Sequence, residues 1–102
     1  MEIAIRRGKL KVIKYLHKVK KVRFNQYMEN TGDTPLMIAI KNRKNNYKKI
    51  IRYILSFPNE VNIEDKNFEG DTALMLSVYT GNLSLVKTLV ERYNANPNTR
   101  EN

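Results

Sequence analysis

Gly32-Asp33-Thr34-Pro35-Leu36-Met37-Ile38-Ala39 returns as Gly70-Asp71-Thr72-Ala73-Leu74-Met75-Leu76-Ser77, 38 residues further on. Self-similarity at a period between about 20 and 50 residues marks a stacked array of small units, because one such unit cannot bury its own apolar face. The stretch also reads well locally. Thr34 offers a hydroxyl to a free backbone N–H, and Pro35 suits the first helical position, where no N–H is needed. Leu36, Ile38, Ala39 and Ile40 supply the apolar face of a short helix, and Gly32 marks a turn that needs positive φ. In the second copy Thr72 caps again with Ala73 in place of proline. Leu74, Leu76, Ser77 and Val78 take the packing positions.

A second helix follows each time. After Gly81-Asn82, the segment Leu83-Ser84-Leu85-Val86-Lys87-Thr88-Leu89-Val90 has apolar residues at helical spacing, with Leu83, Val86 and Val90 on one line and Leu85 and Leu89 on another. Ile50-Ile51-Arg52-Tyr53-Ile54-Leu55 corresponds to it in the preceding copy. A further match opens the chain: Ala4 to Leu16 aligns with Ser77 to Leu89, placing Gly8 on Gly81, Leu10 on Leu83, Ile13 on Val86 and Leu16 on Leu89. Phe24-Asn25, Val61-Asn62 and Pro97-Asn98 lead out of the second helices in corresponding places. The unit is helix, tight turn, helix, then an extended loop to the next Gly-x-Thr.

That unit resembles the ankyrin repeat. The likeness rests on Gly32 to Leu36, on Gly81 to Val90 and on Asn94-Ala95-Asn96-Pro97-Asn98, and it spans almost the whole chain. It implies an all-α fold, an ankyrin-type helix-turn-helix solenoid with extended connecting loops. The expected organisation is one domain over residues 1–102, with a partial first repeat at 1–28, a second at 29–66 and a third at 67–102. Two departures stand out. The family usually carries His after Thr-Pro-Leu, bonded to the capping Thr and neighbouring backbone. Here Met37 and Met75 stand there, so those inter-repeat bonds are expected to be missing; methionine fills volume but specifies geometry less well. The middle repeat also lacks a glycine between its helices, having Arg43-Lys44-Asn45-Asn46-Tyr47 instead.

Composition narrows the function. The net charge of +9 is unevenly spread: residues 1–55 hold 15 Lys or Arg against 3 Asp or Glu, and residues 56–102 hold 4 against 7. A basic half points either to an anionic partner or to a solvated lysine-rich surface. There is no cysteine, which removes disulfides and thiolate metal sites and fits a reducing, intracellular setting. Met1 to Arg7 has no apolar core of the kind a signal peptide requires. The longest apolar run, Leu36 to Ile40, is far short of a membrane span.

No catalytic constellation stands out, and no enzyme activity, metal or cofactor is expected. His17, the one histidine, is expected on the surface at a helix C-terminus, where its charge meets the helix dipole favourably. Glu60, Glu64, Asp65, Glu69 and Asp71 lack the spacing of a calcium loop and read as solvated loop. Tyr15, Tyr53, Tyr79 and Tyr93 sit at helical spacing beside aliphatic residues and read as packing seam. Phe68 is an apolar residue at a loop tip. It is either a partner contact or a fold-back onto its neighbour.

The ankyrin resemblance implies a non-catalytic protein-binding module whose contact surface runs along the loop tips and the exposed end of each first helix. Carried across, the loop positions are Asn30, Thr31, Asp33, Phe68, Glu69 and Asp71, and the helix positions are Arg6, Arg7, Lys41, Asn42, Tyr79 and Thr80. Arg6, Arg7, Phe68 and Tyr79 are the expected anchors, since Arg and aromatic residues dominate interface energetics. The stripe suits another protein with an acidic segment beside an apolar one. The alternative reading is binding of nucleic acid or another anionic surface through the basic N-terminal half, from Arg6 to Arg23 together with Lys41, Arg43, Lys44, Lys48 and Lys49. Because the repeats are few and both motif histidines are replaced, thermal unfolding followed by circular dichroism is expected to be broad and to occur at low temperature; a sharp transition at high temperature is the contrary result.

Overall fold

The computed structural model describes residues 1–43 and 46–97. Lys44 and Asn45 of the middle turn, and Asn98 to Asn102, lie outside the described residues. Among the described residues the chain is all-helical, in three hairpins: α1 (Glu2–Arg6) with α2 (Leu10–Lys18), α3 (Pro35–Asn42) with α4 (Tyr47–Leu55), and α5 (Ala73–Tyr79) with α6 (Leu83–Tyr93). The first helices stack directly, α1 on α3 on α5, while the second helices pack chiefly on their own hairpin partners.

The caps form as their residue types dictate. The Thr34 hydroxyl accepts a bond from the Met37 N–H at 3.3 Å, and Thr72 does the same for Met75 at 3.2 Å. Asn82 caps α6 by accepting from Leu85 at 3.2 Å. Each satisfies one of the donors orphaned at a helix start. Met37 does more than fill space. Its sulfur accepts the Thr34 N–H at 3.5 Å, so the cap stays reciprocal although no histidine is present. Among the described residues between α3 and α4, two non-glycine residues carry left-handed backbone, Arg43 at φ 46° and Asn46 at φ 67°. These are costly for any residue with a Cβ, least so for Asn.

The core is continuous across all three hairpins. Ile5, Ile13, Leu36, Met37, Ile40, Ile50, Ile54 and Leu89 are fully buried. Two expected aliphatic packing positions are not. Ile40 is 2 % exposed, whereas its repeat equivalent Val78 is 58 % exposed. The reason is position in the stack: α3 lies between α1 and α5, but α5 meets a first helix on one side only among the described residues. Leu83 likewise points outward, whereas its repeat equivalent Leu10 packs against the core.

His17 is the largest departure from expectation. It is not a surface residue. Its side chain is 9 % exposed and bonds Glu60, itself 12 % exposed, through Nε2 at 3.0 Å. A carboxylate only accepts, so Nε2 carries the proton; Nδ1 lies 3.1 Å from the Tyr53 hydroxyl. The ring stacks on Phe24 with centroids 4.5 Å apart and packs on Phe57 at 4.2 Å. Glu60 also accepts from the Phe24 N–H at 2.9 Å, so it is not the solvated loop acid its sequence neighbours suggested. A helix end, a loop and α4 thus meet around one imidazole. Tyr15 and Tyr79, expected in a packing seam, are instead exposed.

The turn glycines differ in what surrounds them. Gly81 (φ 71°) has open space where a Cβ would project, but a Cβ on Gly32 (φ 75°) would lie 2.6 Å from the Phe68 ring and 2.9 Å from the Phe68 backbone nitrogen. Gly81→Ala is expected to cost about 1 kcal/mol, from backbone strain alone. Gly32→Ala is expected to cost more, about 2 kcal/mol or above, because the neighbouring loop must also shift. Denaturant melts of the two variants measure the difference, and equal losses would show that the Phe68 loop yields freely.

Candidate partner-binding ridge

The loops before α3 and α5 are tied to each other by one buried side chain, Asn67. Its Nδ2 donates to Asp33 Oδ1 at 2.9 Å, reaching across to the preceding loop. Its Oδ1 accepts from the Glu69 N–H at 3.0 Å and the Asp71 N–H at 2.9 Å, closing its own turn. The backbones join as well: the Phe68 N–H donates to the Thr31 carbonyl at 2.9 Å. These bonds link successive loops where the expected histidine bonds are absent.

Of the two readings the sequence left open, the structure shows the fold-back for Phe68. Its ring covers Gly32 and meets Tyr27 edge-on, with centroids 6.2 Å apart, yet Phe68 remains 65 % and Tyr27 64 % exposed. Two large aromatic faces therefore stand together at a loop tip. Tyr27 was not among the sequence candidates. The only signal for it was an aromatic in a polar loop, three residues before Asn30.

The other candidates divide by what their side chains already do. Arg7, Asn30, Glu69 and Tyr79 are exposed along the loop and helix ends. Arg6 is half-buried, paired with Glu2 at 2.7 Å and approaching the Met28 sulfur at 3.4 Å. Lys41 is exposed but holds Asp33 at 2.8 Å. Asn42 donates to the Ile38 carbonyl. The Thr80 hydroxyl bonds back to Leu76, while its carbonyl accepts from Arg43 at 3.2 Å. Asp33 and Asp71 are buried rather than displayed. Their carboxylates brace the ridge from beneath: Asp33 takes Lys41 and Asn67, and Asp71 accepts from the Tyr79 hydroxyl at 3.4 Å.

This arrangement of capped hairpins and laced loops agrees with comparison to known proteins. A family model described as ankyrin repeats in three copies matches residues 1–101. The chain belongs to the ankyrin-repeat family. Among solved structures, one chain of the crystal structure of the complex between the yeast ribosomal protein Rps3 and its chaperone Yar1 superposes with a TM-score of 0.81. It is 24 % identical in sequence, over 98 % of this chain and 72 % of that one, a likeness that speaks to fold. A search of curated proteins finds no significant match. Ankyrin repeats are protein-binding modules, in general without catalytic activity.

The electrostatics of the ankyrin chain follow from its buried acids. Burial by itself would raise the Asp33 carboxyl, but the hydrogen bonds from Lys41 and Asn67 outweigh it and hold Asp33 below its ordinary value. Burial likewise opposes ionisation of Glu60, and the Phe24 N–H and His17 overcome it, again lowering the carboxyl. The Tyr53 phenol is pushed up by burial, with the Glu60 charge adding to the effect. Among the described residues no group of three or more potential ligands stands close enough to hold a metal ion. No helix among them is long and apolar enough to cross a membrane.

Two carboxyls with lowered folded values give this ankyrin array an acid-side weakness. The unfolded chain binds their protons at higher pH than the folded chain does, so the stability they contribute is complete above the usual carboxylate range. It is lost as pH falls through that range toward the lowered values. Melting temperature measured from neutral pH down to about pH 3 is expected to fall, and Glu60→Gln should fall by less. An equal slope in wild type and variant would show that Glu60 is not a source of the acid loss.

Proposed function

We propose that this chain is a non-catalytic module that grips another protein along its loop ridge, in repeat units spanning 1–28, 29–66 and 67–102. The observation that carries the reading is the exposed Tyr27–Phe68 pair, seated on Gly32 and fixed by the Phe68–Thr31 backbone bond. Exposed aromatics on a rigid support bury large area at little entropic loss, which makes them natural interface anchors. Around them Arg6, Arg7, Asn30, Thr31, Lys41, Asn42, Glu69, Tyr79 and Thr80 form the contact strip, with Asp33 and Asp71 as internal supports. The basic start and aromatic middle of the strip suit a partner that presents an acidic segment beside an apolar one. The chaperone complex to which the fold is similar is in keeping with recognition of a protein.

A second reading has its own support. Lys9, Lys11, Lys14, Lys18, Lys20, Lys21 and Arg23 are all exposed, a density of charge suited to nucleic acid or another anionic surface. Such binding would weaken steeply with salt.

Partner capture with wild type and with an Arg7→Glu, Phe68→Ala, Tyr79→Ala variant tests the first reading. Loss of a wild-type partner is expected, and identical partner sets would remove the ridge. Titration with DNA, RNA and acidic vesicles at low and high salt tests the second, and no binding at low salt would end it.

A further inference from the structure

The clefts between successive second helices are not equivalent. Between α2 and α4 the space is closed by the His17 and Tyr53 rings with Phe24 and Phe57, and Lys14 and Lys18 lie over the Tyr53 face at 5.5 and 5.9 Å. Between α4 and α6 the repeat register puts shorter side chains at those two positions. Leu55 stands where His17 stood and Thr88 where Tyr53 stood. A cleft of about 310 Å³ is left open there.

Its lining has a definite chemistry. Lys48 and Arg52 border it from α4 and Arg92 from α6, and all three are exposed. Lys48 and Arg52 are one helical turn apart, as are Thr88 and Arg92, so each helix presents its charge along the cleft rather than across it. No carboxylate lines the cleft, and none of the three cations forms an ion pair among the described residues. The floor is apolar: Ile51, Leu55 and Leu85 are buried beneath it, and the Tyr93 hydroxyl is fixed by donating to the Leu55 carbonyl at 3.2 Å. None of the residues lining the cleft belongs to the loop ridge.

We propose that the α4–α6 cleft is a second binding site, for an acidic segment of a partner protein whose carboxylates pair with Lys48, Arg52 and Arg92 while its apolar side chains rest on the floor. Arginine forks match carboxylates bidentately, and the apolar floor lowers the local dielectric so that each pair gains strength over a fully solvated one. A nucleic-acid backbone has nothing to place on aliphatic side chains, and base stacking needs exposed aromatic faces, whereas the one aromatic here, Tyr93, is half-buried and fixed at its hydroxyl. The site stands independently of the ridge reading, because neither its residues nor its ligand contacts involve Phe68 or Tyr79.

The test uses the whole chain and a labelled peptide of alternating glutamate and leucine, at low ionic strength. A peptide with glutamine for glutamate and an RNA oligonucleotide serve as comparators. Arg52→Glu with Arg92→Glu is expected to weaken peptide binding by about tenfold or more. Thr88→Tyr, which fills the cleft as Tyr53 fills the preceding one, is expected to weaken it similarly with no change of charge. Phe68→Ala should leave it unchanged, and melting curves establish that each variant is folded. Peptide-induced shifts in amide NMR spectra should fall on α4 and α6. Wild-type affinity in both cleft variants would overturn the proposal. So would shifts confined to α1 and α2, equal binding of the glutamine peptide, or tighter binding of RNA than of the acidic peptide.

Discussion

Helix α3 has no wet face for most of its length. Pro35, Leu36, Met37, Ile38, Ala39 and Ile40 are all buried. A helix that is apolar all round needs cover on every side, and one hairpin partner covers only one. The rest of the architecture follows from that demand. α1 and α5 must lie against its flanks and α4 against its back, and the hairpins then stack in register. The array is therefore held from the middle outward, and the flanking helices α1 and α5 need less apolar surface than α3 does.

Stacking places the loops of successive units side by side, which leaves their backbone groups to be satisfied locally. Asn67 does this with one amide, donating back to Asp33 in the preceding loop and accepting twice from its own turn. Asp33 in turn is neutralised by Lys41. Buried polar groups without partners are expensive, and among the described residues every buried side-chain nitrogen and oxygen has one. The hydrogen-bonded turn that carries Phe68 is a by-product of this accounting. On the other side of the stack, the second helices meet through a few side chains, His17 with Tyr53 and Tyr93 with Leu55, rather than through the close packing that joins the first helices. What fills each resulting cleft depends on single side chains: aromatic rings in one, Leu55 and Thr88 in the next.

Much of the fold was legible in the chain itself. The repeated Gly-Asp-Thr, the caps at Thr34 and Thr72, the left-handed glycines and the apolar spacing of α4 and α6 are all local properties, and local properties can be read from neighbours in sequence. His17, Glu60, Asn67 and Tyr27 were not legible in this way. His17 and Glu60 are 43 residues apart in the chain, and neither is repeated at the corresponding place in the other units. A repeat pattern carries no information about a residue that departs from it. The acids Asp33 and Asp71 were expected on display at the loops and are buried, since a loop position says nothing of which way a short side chain turns.

The sequence by itself determined the unit, its period and its family, because capping chemistry and helical spacing act over a few residues. Only the tertiary structure decided which faces remained wet. Ile40 and Val78 have the same local setting and opposite fates, since burial depends on what stands across the interface. The same cause closes one outer cleft with an imidazole and leaves the next open and cationic.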